Sequence, residues 1–413
     1  MKNEKNENKN NIINYIINKG VILPSKKYSL KYNLLCFLLI TSFLIITIPV
    51  IFTKIISKKN NEQKIYLRNT ESNDYSIDKS KTLEKNGEKI YYDNGKINLN
   101  KLDISYNGTT IPDLSKFNHI HITLCLNEDY HLLASVTIAS ILTNANPTSY
   151  IHFHIITLNN LKFGIMKKIY SLKSINKNSE FIFYNGKKVE EDFELGIKVS
   201  QRGAIDYGRL LITELLSNNI EKIISLDIGD IIVEKDLFEL YQKDLGYQGY
   251  LGVEDAYPKC FLVSIFNHKY KYVNGGVIVI NVKKWKEINL YQYIVKMFKY
   301  ILTKTKFYNP YADILNDFLP WYSNGLMPLK YNLPEYITVN DNAQKDYEIW
   351  TKKCSYYFGN KNIVIEAEKN VVIRNLQNYK VYKGEGSEEV KNLWKSYAQK
   401  TGFYEEICKK YTC

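Results

Sequence analysis

Between His119 and Leu226 the chain switches repeatedly between two hydrophobic periods, and this alternation constrains its fold more than any other feature. His119–Leu126 (HIHITLCL), His152–Leu158 (HFHIITL), Phe181–Tyr184 and Lys222–Leu226 have the length and β-branched or aromatic character of strands. Leu132–Leu142, Leu161–Ile175 and Ile205–Leu216 carry apolar residues at helical spacing. Strands alternating with helices predict an α/β domain built on a parallel sheet. Ligands of such sheets bind outside the carboxyl ends of the strands. The polar turn Asn127-Glu128-Asp129 and the segment after Leu226 are therefore expected on one rim.

The second of these segments is the more informative. In Ile223–Val233 (IISLDIGDIIV) an apolar strand runs into two carboxylates, Asp227 and Asp230, and then resumes. Two carboxylates at a strand end make a hard-oxygen site suited to Mg²⁺ or Mn²⁺. Such an ion can bridge the phosphates of a nucleotide and neutralise charge on a leaving group. A surface turn with two solvated aspartates has the same spelling.

Outside this region the chain changes character. Leu34–Thr53 (LLCFLLITSFLIITIPVIFT) contains no charged residue and is long enough to span a bilayer as one helix. The 33 residues before it are too many and too polar for a signal-peptide n-region, and no small-x-small cleavage site follows, so an uncleaved anchor is expected. Basic residues flank both ends, and the positive-inside rule does not orient the span. Residues 54–115 are polar and lack apolar periodicity, as in a flexible stem. The net charge is +13, but residues 1–115 hold 18 basic and 11 acidic side chains, more than half of the excess. A nucleic-acid partner would want that charge on a folded face, so none is expected. Of six cysteines, Cys36 and Cys125 lie in apolar segments. Cys260, Cys354, Cys408 and Cys413 could pair in an oxidising lumen, Cys408 with Cys413 closing a short loop.

Five segments together resemble family 8 glycosyltransferases, retaining enzymes of the GT-A nucleotide-diphospho-sugar transferase fold. HITLCLNEDYHLLASVTIASIL is similar to the family's first strand, nucleotide loop and helix. DYGRLLITELL and EKIISLDIGDIIVEKDLFELY are similar to its Y-x-R-L segment and metal-binding Asp-x-Asp strand. YVNGGVIVINVKKW resembles its Asn-Ala/Ser-Gly-Val strand, and ADILN the end of its D-Q-D-x-L-N motif. The order is the family's, and residues 116–413 become the transferase domain. The resemblance implies a type II membrane protein of the Golgi or endoplasmic reticulum, with residues 1–33 as cytosolic tail and the domain lumenal. It also implies a UDP-sugar donor, a glycan or glycoprotein acceptor, and Mn²⁺ or Mg²⁺. It assigns Asn127, Asp129, Tyr130, Arg209 and Lys380 to the nucleotide, and Asn274, Gly275 and Gly276 to the sugar. Asp227 and Asp230 go to the metal, and Asp255 and Asp313 to the reacting sugar.

The departures are as specific. The metal aspartates stand at i and i+3 instead of i and i+2, and Gly229 between them would permit a bulge. Tyr311 and Ala312 replace the first Asp and the Gln of D-Q-D-x-L-N. The family's C-terminal H-x-x-G-x-x-K-P-W becomes Arg374, Gln377, Lys380, Val381 and Tyr382. Arg374 thus stands where the third metal ligand is expected. Three readings stay open: metal held by the two aspartates with water and phosphate, basic residues taking over part of the metal's role, or loss of catalysis.

Overall fold

The computed structural model describes residues 113–158, 161–193, 205–255, 273–302, 316, 324–335, 361–376 and 381–411, together with three short strands upstream. The chain divides into two units, Met1–Lys79 and Ser80–Cys413, and the described residues belong to the second. The expected span 34–53, the tail before it, and Asp313, Lys380, Cys260, Cys354 and Cys413 lie outside the described residues. Among the described residues no helix is long and apolar enough to cross a membrane.

Strands β1 (Thr82–Lys85) and β2 (Glu88–Tyr91) pair with each other, and β3 (Lys96–Asn98) follows. Then come β4 (Asn118–Leu126), α1 (His131–Asn144), β5 (Ser149–Thr157), α2 (Phe163–Ser171), β6 (Ser179–Asn185), α3 (Lys187–Asp192) and α4 (Ile205–Leu215). Next are β7 (Lys222–Leu226), β8 (Ile231–Val233), α5 (Phe238–Tyr241), β9 (Tyr250–Glu254), β10 (Val273–Asn281), α6 (Val282–Glu287) and α7 (Leu290–Leu302). The last elements are β11 (Asn324–Leu326), β12 (Leu333–Pro334), α8 (Lys361–Lys369), β13 (Ile373–Asn375), α9 (Glu388–Lys400) and α10 (Tyr404–Lys410). The expected strands and helices between His119 and Leu226 are all present within a few residues.

The main sheet has the order β11-β9-β10-β7-β4-β5-β6-β3. Its middle, β7-β4-β5-β6, is parallel, and β10, β9 and β3 bring antiparallel pairings. β3 lies inside the segment read as a stem, so the sheet reaches upstream of residue 116. Three residues are too few to show a period, which is why the sequence hid it. β4, β5 and β6 succeed one another on one side, and β7 returns to the other side of β4. The chain direction across the sheet therefore reverses between β4 and β7, and the carboxyl ends there open the crevice in which α/β proteins bind ligands. A second sheet, β12-β13-β8, stands beyond the end of β7.

α1 explains how the layers join. Leu132 to Leu142 are all buried, with no polar face left for water. Ala134, Ile138, Ile141 and Leu142 pack into the main core, whereas Leu132, Leu133 and Val136 pack with Ile232, Leu376, Trp394 and Ile407. A helix apolar all round is one buried on both sides. Cys125 of β4 is a buried packing residue: a Cβ on Gly208 of α4 would fall 2.0 Å from its Sγ, so this glycine lets α4 close on the sheet. Cys408 of α10 is disulfide-bonded.

The amino-terminal half of the same strands carries a histidine ladder. His119 Nδ1 meets His152 Nε2 at 2.7 Å and His121 Nδ1 meets His154 Nε2 at 2.9 Å. His119 Nε2 lies 2.9 Å from the Leu114 carbonyl, which only accepts, so that nitrogen carries hydrogen. On its other side His152 Nδ1 contacts the Glu180 carboxylate. Burial opposes the Glu180 charge, yet the bond and charge of His152 hold its carboxyl below the usual range. Burial, then the positive field of His152, pushes His121 down to about 3.

Candidate functional site

The register pairs Ile122 with Ile224 and Thr123 with Ser225, so Asn127 and Asp227 leave neighbouring strands on the same rim. The turn after β4 is built by Asn127. Its Oδ1 accepts from Asp129 N at 3.1 Å and Tyr130 N at 3.2 Å, an Asx turn leading into α1. Asn127 is buried, whereas Asp129 is exposed and Tyr130 partly so. The asparagine therefore shapes the loop from within, Asp129 faces solvent, and Tyr130 packs partly against the core.

The Asp227–Asp230 turn is held from below by α1. Thr137 Oγ1 accepts from Gly229 N at 3.1 Å and donates to Ile231 O at 3.0 Å. Ser140 Oγ accepts from Val233 N at 3.0 Å. Gly229 has φ +82°, and a Cβ there would lie 2.9 Å from Leu133 Cβ, so both conformation and space require glycine. The i, i+3 spacing is thus a change of sheet: β7 ends at Leu226 and β8 begins the second sheet at Ile231. The expected bulge within one strand is replaced by this crossing turn. Asp227 keeps 20% of its side chain exposed, and Asp230 is 5% exposed with its carbonyl bonded to Leu376 N at 2.7 Å.

Arg209 reaches this turn from α4. It is 3% exposed, its Nη2 is 2.9 Å from Asp227 Oδ1, and its Nη1 donates to Gly275 O at 2.7 Å. One planar guanidinium therefore ties the carboxylate of β7's end to the glycine pair of β10. Asp227 N also donates to Gly276 O at 2.8 Å. The β9–β10 register shifts between Val273 and Ile278, around that glycine pair. A Cβ on Gly276 would meet Asn274 Oδ1 at 2.9 Å, Asn375 Nδ2 at 3.1 Å and Asp227 Oδ2 at 3.4 Å. Only glycine lets these three polar side chains converge.

Beneath the glycines lies an amide network that the sequence reading missed. Asn274 Oδ1 accepts from Gly276 N at 2.8 Å and from Asn332 Nδ2 at 3.1 Å, and Asn375 Nδ2 donates to Asn332 Oδ1 at 2.8 Å. Asn316, the last residue of ADILN, clamps Val273 with both amide atoms, accepting from its N at 2.7 Å and donating to its O at 2.9 Å. Asn274, Asn316, Asn332 and Asn375 are all buried. In a chain so rich in asparagine the residue type carries no signal; the YVNGG strand pointed to Asn274 and ADILN to Asn316, and nothing pointed to Asn332 or Asn375. Asp255 follows β9 and is partly exposed, next to Glu254, which pairs with Val273.

Arg374 is turned away from this cluster. Its Nε donates to Glu234 Oε1 at 2.7 Å and its Nη1 to Glu335 Oε2 at 2.9 Å. Burial opposes its charge, but the bonds to Glu234 and Glu335 outweigh burial and raise its pKa. The reading in which a basic residue at position 374 takes over part of the metal's role gives way to a part-buried ion triad. Strand alternation sends its neighbour Asn375 to the opposite face, toward Asn274 and Gly276. Among the described residues no group of three or more His, Cys, Asp or Glu is arranged to hold a metal ion.

The family model for glycosyl transferase family 8 matches residues 121–354. "Probable galacturonosyltransferase-like 10" of Arabidopsis thaliana is 26% identical over 184 residues, covering 41% of this chain and 49% of that protein. A "Putative glycosyltransferase" of Haemophilus influenzae is 32% identical over 90 residues, 21% of this chain and 27% of that one. The chain spans about half the length of the plant relatives it matches. Among solved structures, the WbbM bifunctional glycosyltransferase superposes with TM-score 0.57 at 18% identity, covering 75% of this chain and 54% of that chain. The galactosyltransferase LgtC, solved with donor and acceptor sugar analogs, superposes with TM-score 0.50 at 17% identity, covering 71% and 97%. The fold is α/β and GT-A-like, and the chain belongs to glycosyl transferase family 8.

Proposed function

We propose that this protein transfers a hexosyl or related unit from a UDP-sugar to a glycan or glycoprotein acceptor, with retention at the anomeric carbon. The observation that carries the reading is the Arg209–Asp227–Gly276 arrangement at the switch point of the parallel strands. Asp129 and Tyr130 would take the base and ribose, Tyr130 through its aromatic face, on the loop shaped by Asn127. Asn274, Gly275 and Gly276 would line the sugar, and Asp255 and Asp313 would meet it at the reacting face. Lys380 would balance the diphosphate. Asp227 and Asp230 are hard-oxygen donors that suit Mg²⁺ or Mn²⁺, with water and phosphate oxygens completing the shell. Such an ion supplies Lewis-acid stabilisation of the departing diphosphate. The work of the chain's own residues is positioning: Arg209 fixes the rotamer of Asp227, and the amide network fixes the glycine strand against which the donor lies. The span 34–53 would anchor the protein in a Golgi or endoplasmic-reticulum membrane as a single-pass type II protein, and the Cys408 disulfide suits such a lumen.

One observation favours a second reading, a catalytically inactive relative that binds a nucleotide sugar, a glycan or a partner. The position of the family's third metal ligand holds Arg374, committed to two glutamates. A donor screen on the purified full chain, with and without Mn²⁺ and with the product anomer read by NMR, separates the two. Release of UDP from one donor with a retained anomer supports the transferase. UDP binding with no turnover across the panel supports the inactive relative.

A further inference from the structure

The loop Asn127–Tyr130 is gripped by an element almost three hundred residues away. Lys410 Nζ donates to Asp129 O at 2.8 Å, and Tyr411 OH donates to the same oxygen at 3.2 Å. Both lone pairs of that carbonyl are thus engaged from α10 and the residue after it. The neighbouring backbone is fixed in the same way: His131 Nδ1 contacts Glu128 O at 2.5 Å, and Lys162 Nζ holds the Glu128 carboxylate at 2.6 Å. α10 is itself anchored, through Glu406 to Lys168 at 2.6 Å and through buried Ile407 in the second core cluster. Tyr130, Tyr382 and Tyr411 pack against that cluster together, and Tyr382 meets Tyr411 edge to face at 5.4 Å. The backbone of Asp129 is pinned while its side chain stays exposed, the arrangement of a group preset to read a ligand.

We infer that Lys410 and Tyr411 are positioning residues of the nucleotide site, holding Asp129 and Tyr130 in register for the base of a nucleoside diphosphate. This rests on the reading of Asn127–Tyr130 as the nucleotide loop. The grip acts through preorganisation: a loop already ordered loses less freedom when the ligand arrives. Tyr411 remains a phenol, and so a donor, because burial, then Tyr382, Tyr130 and Asp129, push it up to about 12.

The test is calorimetric titration of the full chain with UDP and with GDP. Tyr411→Phe paired with Lys410→Met removes both donors while keeping the ring and the aliphatic stem. The double variant is expected to bind UDP about tenfold more weakly, a loss of about 1.4 kcal/mol. Its preference for UDP over GDP is expected to shrink, and its thermal midpoint to fall by only a few degrees, because both bonds are solvent-exposed and the Tyr411 ring is kept. Lys410→Arg in the Tyr411 background keeps a donor and is expected to retain wild-type binding. Asp129→Ala and Tyr130→Ala in the same assay check the underlying reading. If they weaken UDP binding and the double variant does not, the inference is overturned and the nucleotide loop stands. If neither they nor the double variant change it, the loop is not the nucleotide site and both fall. Weaker UDP binding with unchanged base preference would also overturn it, since it would make the grip merely structural.

Discussion

Arg209 is buried and Arg374 half-buried, both sit at hydrogen-bond distance from carboxylates, and both are basic positions at which the resemblance places ligands of the donor or the metal. Their partners separate them. Arg374 lies between Glu234 and Glu335, two carboxylates for one guanidinium, so its charge is more than spent within the protein. Arg209 holds one carboxylate oxygen of Asp227 and one backbone carbonyl, and the other oxygen of Asp227 lies on the Gly276 side. The first arrangement closes on itself and joins β13 to the residues after β8 and β12. The second holds the Asp227 carboxylate, 20% exposed, at the carboxyl end of β7. The two arginines are thus told apart by their partners, and not by burial or charge.

The predictions test that contrast. The largest effect is expected from Asp227→Ala, which should lower UDP-sugar turnover by on the order of 10³-fold or more, since it removes a proposed ligand of the ion that would stabilise the departing diphosphate. Equal turnover in the variant would remove Asp227 from the chemistry. Arg374→Met should act on stability instead. Removing the arginine of a part-buried triad strands its two carboxylates, here at about 2–3 kcal/mol, below the cost for a fully buried pair. Urea unfolding measures it, and adding Glu335→Leu should recover part of the loss. A stable Arg374→Met protein with impaired turnover would reverse the roles assigned to the two arginines. Arg209→Lys keeps the charge but loses the fork that spans Asp227 and Gly275, and about 10- to 100-fold in kcat/KM is the expected loss, the range seen when supporting residues of a site are changed. A change in stability with unaltered kcat/KM would place Arg209 beside Arg374 as a structural residue.

The smallest effect at neutral pH belongs to the histidine ladder, a second self-contained polar cluster. His121 titrates near 3 when folded, against about 6.5 in an unfolded chain. Its contribution to stability is therefore full above about pH 6.5 and declines as pH falls toward about 3. Glu180, also lowered, adds loss of the same sign at more acid pH. The groups facing His121 are His119, His152, His154, Glu180 and Tyr241, with Tyr150, Tyr184 and Lys173 around them. His121→Phe should flatten the dependence of the urea midpoint on pH below about 6.5. An unchanged slope would show that the ladder does not resist protonation.

The central strands and helices were legible because each carries its own period. The rim followed from strand order, and Asp227 from a strand that stops at a carboxylate. What stayed hidden depends on contacts between distant segments. β8, β12 and β13 are two or three residues long, so the second sheet left no readable pattern. HIHIT and HFHII read as strands, but the ladder needs the register that sets residue 119 opposite 150 and 121 opposite 152. Arg374 and Asn375 are adjacent in sequence, and only the pleat tells which of them faces the glycines. Asn332, Asn316, Lys410 and Tyr411 act through bonds to residues 43 to 282 positions away.

The most direct test is UDP release from a panel of UDP-sugars by the full chain, set beside Asp227→Ala and Arg374→Met. The wild type is expected to turn over at least one donor, and Asp227→Ala to lose this activity. Arg374→Met should keep turnover per folded molecule within a few-fold while unfolding at lower urea. Loss of turnover in Arg374→Met with activity intact in Asp227→Ala would contradict these roles.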